Sequence, residues 1–308
     1  MTATLPEEVT KNIIVKLIKG EDYRIEVVTL INAEFLQYVI DFFKKIVDAK
    51  LKSKDITVDW YKKEFLDERL SSDEIAIHSG LNKKTIANMY NSARKEIVIE
   101  ASNDHYEQLY STIQKLVDGE DELNITLTIK FKGVSVDLNV SESLIVINTL
   151  AVKRAALRGG LWSTAGKRVE GPLMVTLCKL FGVGDADYEV ELKGRSTVKT
   201  EKDFEREVDF YLIGPSKQEY KCEVKLMGKG NPESADAVIA RDSKVFVADK
   251  LSDTNKRQLD SLGVEWVELR HDSGYKRFKT VLENLNIPYD DFDGDVDIRL
   301  DEIFREIF

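Results

Sequence analysis

The sequence predicts an α/β fold of mixed α+β type, with a mixed sheet flanked by helices behind a mainly helical N-terminal domain. Three observations carry this. Apolar residues recur at helical spacing through most of the first 122 positions. Short runs with strand-like alternation appear from residue 123. From about residue 160, helices and strands take turns, the pattern of an α/β domain. With 308 residues and 43% hydrophobic side chains, the chain can bury one large core or two ordinary ones. The expected division is residues 1–122 and residues 123–308.

The elements follow in order. Residues 12–19 and 23–30 are rich in Ile and Val around Gly20-Glu21-Asp22, which reads as a hairpin. Residues 33–50 carry Phe35, Leu36, Val39, Ile40, Phe43 and Val47 at helical spacing. Residues 72–93 fit a helix-turn-helix template. Ile75 and Ala76 pack the first helix, Gly80 makes the turn, and Leu81, Ile86 and Met89 turn inward from the second. Lys83, Lys84, Thr85, Asn88 and Asn91 are left facing outward, residue types suited to base edges and phosphates. A second hairpin, 123–131 and 134–140, precedes a helix running to 157. A helix at 163–183 leads to strands at 208–213 and 220–227, joined through Gly214-Pro215-Ser216. A strand at 245–248, a helix at 254–262 and a strand at 264–269 complete the alternation. From Glu283 the sequence becomes strongly acidic.

Composition excludes several classes. No basic start leads into an apolar core, and no uncharged stretch approaches the ~18 residues of a membrane helix, so a cytoplasmic location without membrane contact is expected. Cys178 and Cys222 are too few for a disulfide framework and read as reduced core residues. His78, His105 and His271 form no metal-ligand spacing. The run from Gly160 to Lys167 resembles a phosphate-binding loop, but its glycines are one residue too far apart and Arg168 replaces the Ser or Thr. The acidic run 291–297 lacks the glycine position and closing glutamate of a calcium loop.

The chemistry-bearing segment is the strand pair around Asp209 and Glu223-Val-Lys225. Side chains alternate along a strand, so Cys222, Val224 and Leu226 share a core face while Lys221, Glu223 and Lys225 share the other. On the first strand, Val208, Phe210 and Leu212 face the core and Asp209 points away. Both acids meet on one face only if the connecting loop is odd in length or bulged. Two carboxylates and a lysine beneath a covered sheet are costly unless they bind a cation. Hard carboxylate oxygens suit Mg²⁺, which stabilises charge on a phosphate and acidifies bound water. Asp209 and Glu223 are then metal ligands, and Lys225 orients or helps to deprotonate the attacking water.

Asp209 followed by Glu223-Val-Lys225 resembles the PD-(D/E)xK nuclease superfamily, specifically its type II restriction endonucleases. The run from Gly160 to Glu170 is similar to their first core helix, and Glu170 matches the extra helix-borne acid that many place near the metal. The run from Glu223 to Asp236 resembles the CfrBI-like branch. The likeness covers about residues 145–270. Val208 stands where the family name has Pro, and Pro172 follows Glu170 within the helix. The resemblance implies Mg²⁺-dependent hydrolysis of double-stranded DNA at a short, palindromic site, leaving 5′-phosphate and 3′-hydroxyl ends. It also implies a homodimer, with a cognate DNA methyltransferase as a genetic partner rather than a binding one.

Candidate DNA contacts are Arg154, Arg158, Lys167 and Arg168 as a phosphate-tracking cluster, and Lys229, Asn231 and Arg241 in the polar stretch after the catalytic strand. Lys83, Lys84, Thr85 and Asn88 come from the helix-turn-helix. Two alternatives stand beside this reading. One is a transcriptional regulator whose helix-turn-helix binds DNA; the other is a structure-specific repair nuclease of the same superfamily. The net charge of −10 does not exclude a DNA enzyme. Residues 283–308 hold nine acids and two arginines, whereas residues 151–170 hold five basic residues and one acid. A basic region around Arg154–Arg168 and an acidic C-terminal stretch held away from the duplex are expected.

Overall fold

The structure, a computed structural model, describes residues 4–52, 58–119, 125–131, 133–159, 161–190, 210–226 and 242–308. The chain forms two compact units, residues 34–160 and residues 1–33 with 161–308.

The N-terminal segment is helical, not a hairpin. α1 (Leu5–Ile18) and α2 (Arg24–Leu51) occupy the expected strands. The reason is spacing: Ile13, Ile14, Leu17 and Ile18 recur at helical intervals and are all fully buried. Thr4 and Glu7 form a capping box, with Pro6 in the first turn, where its missing N–H costs nothing. Gly20 takes a positive φ of 74° between the helices, and a Cβ there would come 2.6 Å from the His271 carbonyl oxygen. The β-branched residues that suggested strands serve here as helical core residues.

The second unit is built from the rest of α2 with α3 (Val58–Phe65), α4 (Ser72–His78), α5 (Lys83–Tyr90), α6 (Lys95–Gly119), an antiparallel pair β1 (Leu127–Phe131) and β2 (Val134–Leu138), and α7 (Val140–Gly159). Its core gathers Phe42, Ile46, Tyr61, Phe65, Ile75, Ile86, Tyr106, Ile129, Leu138 and Val146. The β1–β2 pair and α7 therefore belong with the helices, and the units do not divide at 122/123. Burial explains the difference. The inward side chains of β1 and β2, Ile129 and Val136, join the helical core, while α1 sends its own apolar face to the other unit.

That other unit contains α8 (Leu161–Leu180) and a five-stranded mixed sheet. Its strands are β3 (Tyr188–Glu189), β4 (Phe210–Ile213), β5 (Glu219–Lys225), β6 (Val245–Ala248) and β7 (Glu265–Glu268), in that spatial order. β3–β4 and β4–β5 are antiparallel, whereas β5–β6 and β6–β7 are parallel. α9 (Asp253–Ser261) crosses between the parallel strands β6 and β7. α10 (Arg277–Asn284) and α11 (Val296–Ile307) complete the unit. One sheet face, with Phe210, Leu212, Cys222, Val224, Val245, Val247 and Val267, shares a core with α1, α8, α10 and α11. The other carries Phe246 and Ala248, packed with Leu251, Leu259 and Val264.

The acidic C-terminal stretch ends in this core. α11 buries Leu300, Ile303 and Phe304, and Glu306 pairs with Lys179 near the end of α8 at 2.7 Å. Lys179 lies eleven positions beyond Arg168 on α8, roughly 16 Å along the axis at 1.5 Å per residue. Cys178 and Cys222 are buried free thiols. Among the described residues, no helix is long and apolar enough to cross a membrane.

Candidate active site

The β4–β5 pair decides which side chains meet. Its register joins Ile213 to Glu219 and Phe210 to Cys222, so the connection is the five residues 214–218. Residues paired across the two strands share a face whatever the length of that connection. Gly214 N–H closes the turn on the Gln218 carbonyl at 2.8 Å. Cys222 and Val224 point into the main core with Phe210 and Leu212, as the alternation requires.

Glu223 and Lys225 therefore occupy the opposite face. Glu223 lies beside Phe246 of β6 and is fully buried, and Lys225 pairs with Ala248. The Lys225 Nζ reaches Glu223 Oε1 at 2.7 Å and stays partly open to solvent. A charge-assisted contact of this length offsets some of the cost of desolvating the carboxylate. The result is a carboxylate held against an apolar strand with its cation at the last rung of β5. Such a pair can ligate a hard cation through its oxygens and present an ammonium beside it.

The remaining predicted residues divide by position. Asp209 lies outside the described residues, immediately before the first paired residue of β4. Lys229, Asn231 and Arg241 lie outside them as well, as does the side chain of Lys167. Glu170 is half-buried on α8, next to Val169, which packs into the core shared with Cys222. Arg168 is exposed on the same helix and lowers the pKa of the Glu7 carboxyl, after the larger effect of the Thr4 hydrogen bonds. Arg154 and Arg158 sit on α7, in the other unit. Arg158 is exposed, and the Arg154 guanidinium stacks 5.3 Å above the Phe35 ring. Among the described residues, no group of three His, Cys, Asp or Glu side chains is placed to hold a metal ion.

In the helical unit, α4 and α5 fall where the template places helices. Ser71 and Glu74 form a capping box on α4, and the Asn82 side chain accepts from Thr85 N–H at 2.9 Å. Gly80 has φ +90°, and a Cβ there would stand 2.8 Å from Asn148 Nδ2. Ile86 is buried as expected. Met89, expected to face α4, is instead 62% exposed in the last turn of the eight-residue α5, which Asn91 ends in a left-handed conformation. Lys84 and Asn88 are exposed; Lys83 and Thr85 are half-buried.

Two further groups stand near the pair with no motif in the sequence to mark them. Asp249, the first residue after β6, is 1% exposed and accepts from the Tyr23 hydroxyl at 3.3 Å and from Lys250 N–H at 2.8 Å. Burial raises its pKa, against the pull of these hydrogen bonds and of Arg270. Glu268, at the end of β7, pairs with Lys256 at 2.6 Å and accepts from Leu251 N–H. An acid directly after the apolar Val-Phe-Val-Ala run was the available signal for Asp249.

A mixed sheet that buries a carboxylate–lysine pair on one face suits phosphodiester hydrolysis, and comparison with known families supplies the class. The family model of the CfrBI restriction endonucleases matches residues 7–256, across both units. The chain belongs to the CfrBI restriction endonuclease family. It is a site-specific deoxyribonuclease of type II, a hydrolase whose substrate is DNA. No curated protein and no solved structure matches the chain.

Proposed function

We propose that this restriction endonuclease is Mg²⁺-dependent and cuts double-stranded DNA to leave 5′-phosphate and 3′-hydroxyl ends. The observation that carries the proposal is the buried Glu223 carboxylate bound to Lys225 on the sheet face turned away from the main core. Carboxylate oxygens are the donors Mg²⁺ prefers, so the residues fit the ion. Asp209, the carboxylate that directly precedes Phe210 in the sequence, is the second ligand in this reading. When bound, Mg²⁺ supplies charge stabilisation at the phosphate and a more acidic water.

The chain's own residues do the rest in this reading. Asp209 and Glu223 hold the ion, while α8, the helix that carries the further candidate Glu170, packs on the opposite face of the sheet with Cys222 and Val224. Lys225, beside Glu223, would orient the attacking water and offset charge developing on the phosphate. Arg154, Arg158, Lys167 and Arg168 contact phosphates. Lys229, Asn231 and Arg241 reach the DNA from the stretch after β5, and Lys83, Lys84, Thr85 and Asn88 from α5. A homodimer sets one such centre on each strand of a palindromic site, and a methyltransferase protects the host's own copies.

The test is incubation with plasmid and phage DNA in Mg²⁺. Discrete fragments with ligatable 5′-phosphates are expected. Asp209→Ala and Lys225→Ala lose cleavage by about 10³-fold or more, and the lysine variant still binds DNA. Absence of nicking by the wild type in both Mg²⁺ and Mn²⁺ overturns the proposal. Cleavage confined to branched substrates points to a repair nuclease instead.

A further inference from the structure

We infer that Asp249 and Tyr23 are positioning residues for the catalytic lysine, an inference that rests on the role proposed above for Lys225. Lys225 occupies the last rung of the β5–β6 pairing, opposite Ala248. Strand ends are where sheets open first, because the final rung has a neighbour on one side only. A cleavage lysine placed there needs its backbone fixed from elsewhere.

Asp249 provides that fixation. Its N–H donates to the Lys225 carbonyl at 3.4 Å, and its own carbonyl accepts from Arg270 N–H at 2.8 Å. The residue thus joins the ends of β5, β6 and β7. Its carboxylate is held in turn by the Tyr23 hydroxyl, which enters from the turn between α1 and α2. That turn is itself fixed. Gly20 lies against the His271 carbonyl, and Asp22 pairs with Arg24 and with Arg270 Nη1, the latter at 3.5 Å. Tyr23 is fully buried, and its desolvation raises the phenol's pKa, so it remains a hydrogen-bond donor at neutral pH.

A buried acid with two satisfied oxygens costs more than an apolar residue of similar size. Its retention at this junction is explained by what it aligns. Small displacements of a catalytic group lose large factors in rate, up to about 10² for 1 Å. The inference predicts a loss in the chemical step rather than in DNA binding.

The experiment measures single-turnover cleavage and DNA binding for the full-length protein on a plasmid fragment that the wild type cuts. Asp249→Ala is expected to lose about tenfold or more in cleavage rate at unchanged DNA affinity. Asp249→Asn is expected to retain most of the rate, since the amide can accept from Lys250 N–H and donate to the Tyr23 oxygen. Tyr23→Phe gives a smaller loss of the same kind, and decides the matter if Asp249→Ala fails to fold. Val267→Ala, a cavity in the same core, is the stability control and keeps its rate. Wild-type rates for Asp249→Ala and Tyr23→Phe overturn the inference, as do losses that follow melting temperature equally in Val267→Ala. Lys225→Ala separates the two readings. If it cleaves normally, the catalytic assignment falls; if it is inactive while the Asp249 and Tyr23 variants are unaffected, only this inference falls.

Discussion

Both units bury a carboxylate paired with a lysine, Glu223 with Lys225 in the sheet unit and Glu142 with Lys50 at 2.6 Å in the helical unit. Among the described residues, only the helical unit sets a buried histidine at the centre of an aromatic cluster. In the sheet unit the buried acids are Glu223, held by a lysine, and Asp249, held by a phenol and a backbone N–H. In the helical unit the central buried polar group is His78, which sits among Tyr38, Phe42, Tyr61 and Phe65. Burial lowers its pKa from 6.5 to about 3, so it is neutral at pH 7. Its partners are neutral as well: Tyr38 Oη lies 3.3 Å from Nδ1, and Tyr61 donates to the His78 carbonyl at 3.1 Å. Neutral groups that satisfy one another inside an aromatic cluster hold a shape. Glu142 serves the fold in the same way, accepting from Asn139 N–H at 2.9 Å at the start of α7, whereas Glu223 lies on a strand beside the last rung of β5.

That contrast fails or sharpens on three measurements, beginning with the largest effect. His78 binds a proton in the unfolded chain below pH 6.5 but not in the folded one until about pH 3. Its contribution is therefore complete above pH 6.5 and is lost progressively as pH falls toward 3, on the order of a few kcal/mol. Denaturant titrations at pH 7 and pH 4.5 should show this loss in the wild type and a smaller one in His78→Gln. Equal losses would remove the neutral cluster as the helical unit's distinguishing feature.

Next comes the outer face of α5, where Lys84 and Asn88 are exposed. If this face meets phosphate, Lys84→Ala lowers the dependence of log affinity on log salt by about one and weakens binding to all sequences alike. An unchanged slope assigns the helical unit to packing alone. The smallest effect concerns Glu306 and Lys179, a partly exposed pair between α11 and α8. Glu306→Gln should cost under about 0.5 kcal/mol in urea unfolding, because α11 is held by Leu300, Ile303 and Phe304. A larger loss would make the acidic stretch electrostatically docked.

Legibility in the sequence followed the range of the interactions. Val245–Ala248 was readable as a strand because four consecutive apolar residues are buried on both faces. The Glu223 and Lys225 face was readable because alternation is local and strict. α1 and α2 were misread because their Ile and Val residues fit both periods over a short window, and the competing helix is confirmed only by burial against distant strands. Met89 was misplaced because its helix ends one residue later, which spacing alone does not reveal. Asp249 and Tyr23 are 226 positions apart, so their hydrogen bond has no local signature.

The five-residue turn between β4 and β5 has a consequence for variation in this family. Residues paired across two antiparallel strands share a face whatever the length of the loop that joins them, so an added residue is taken up in the turn while Phe210 and Leu212 keep their burial beside Cys222 and Val224. Natural length variants of this turn should therefore be tolerated in odd and even steps alike. The frame in which the sheet is read is set by the core-facing side chains, not by the turn.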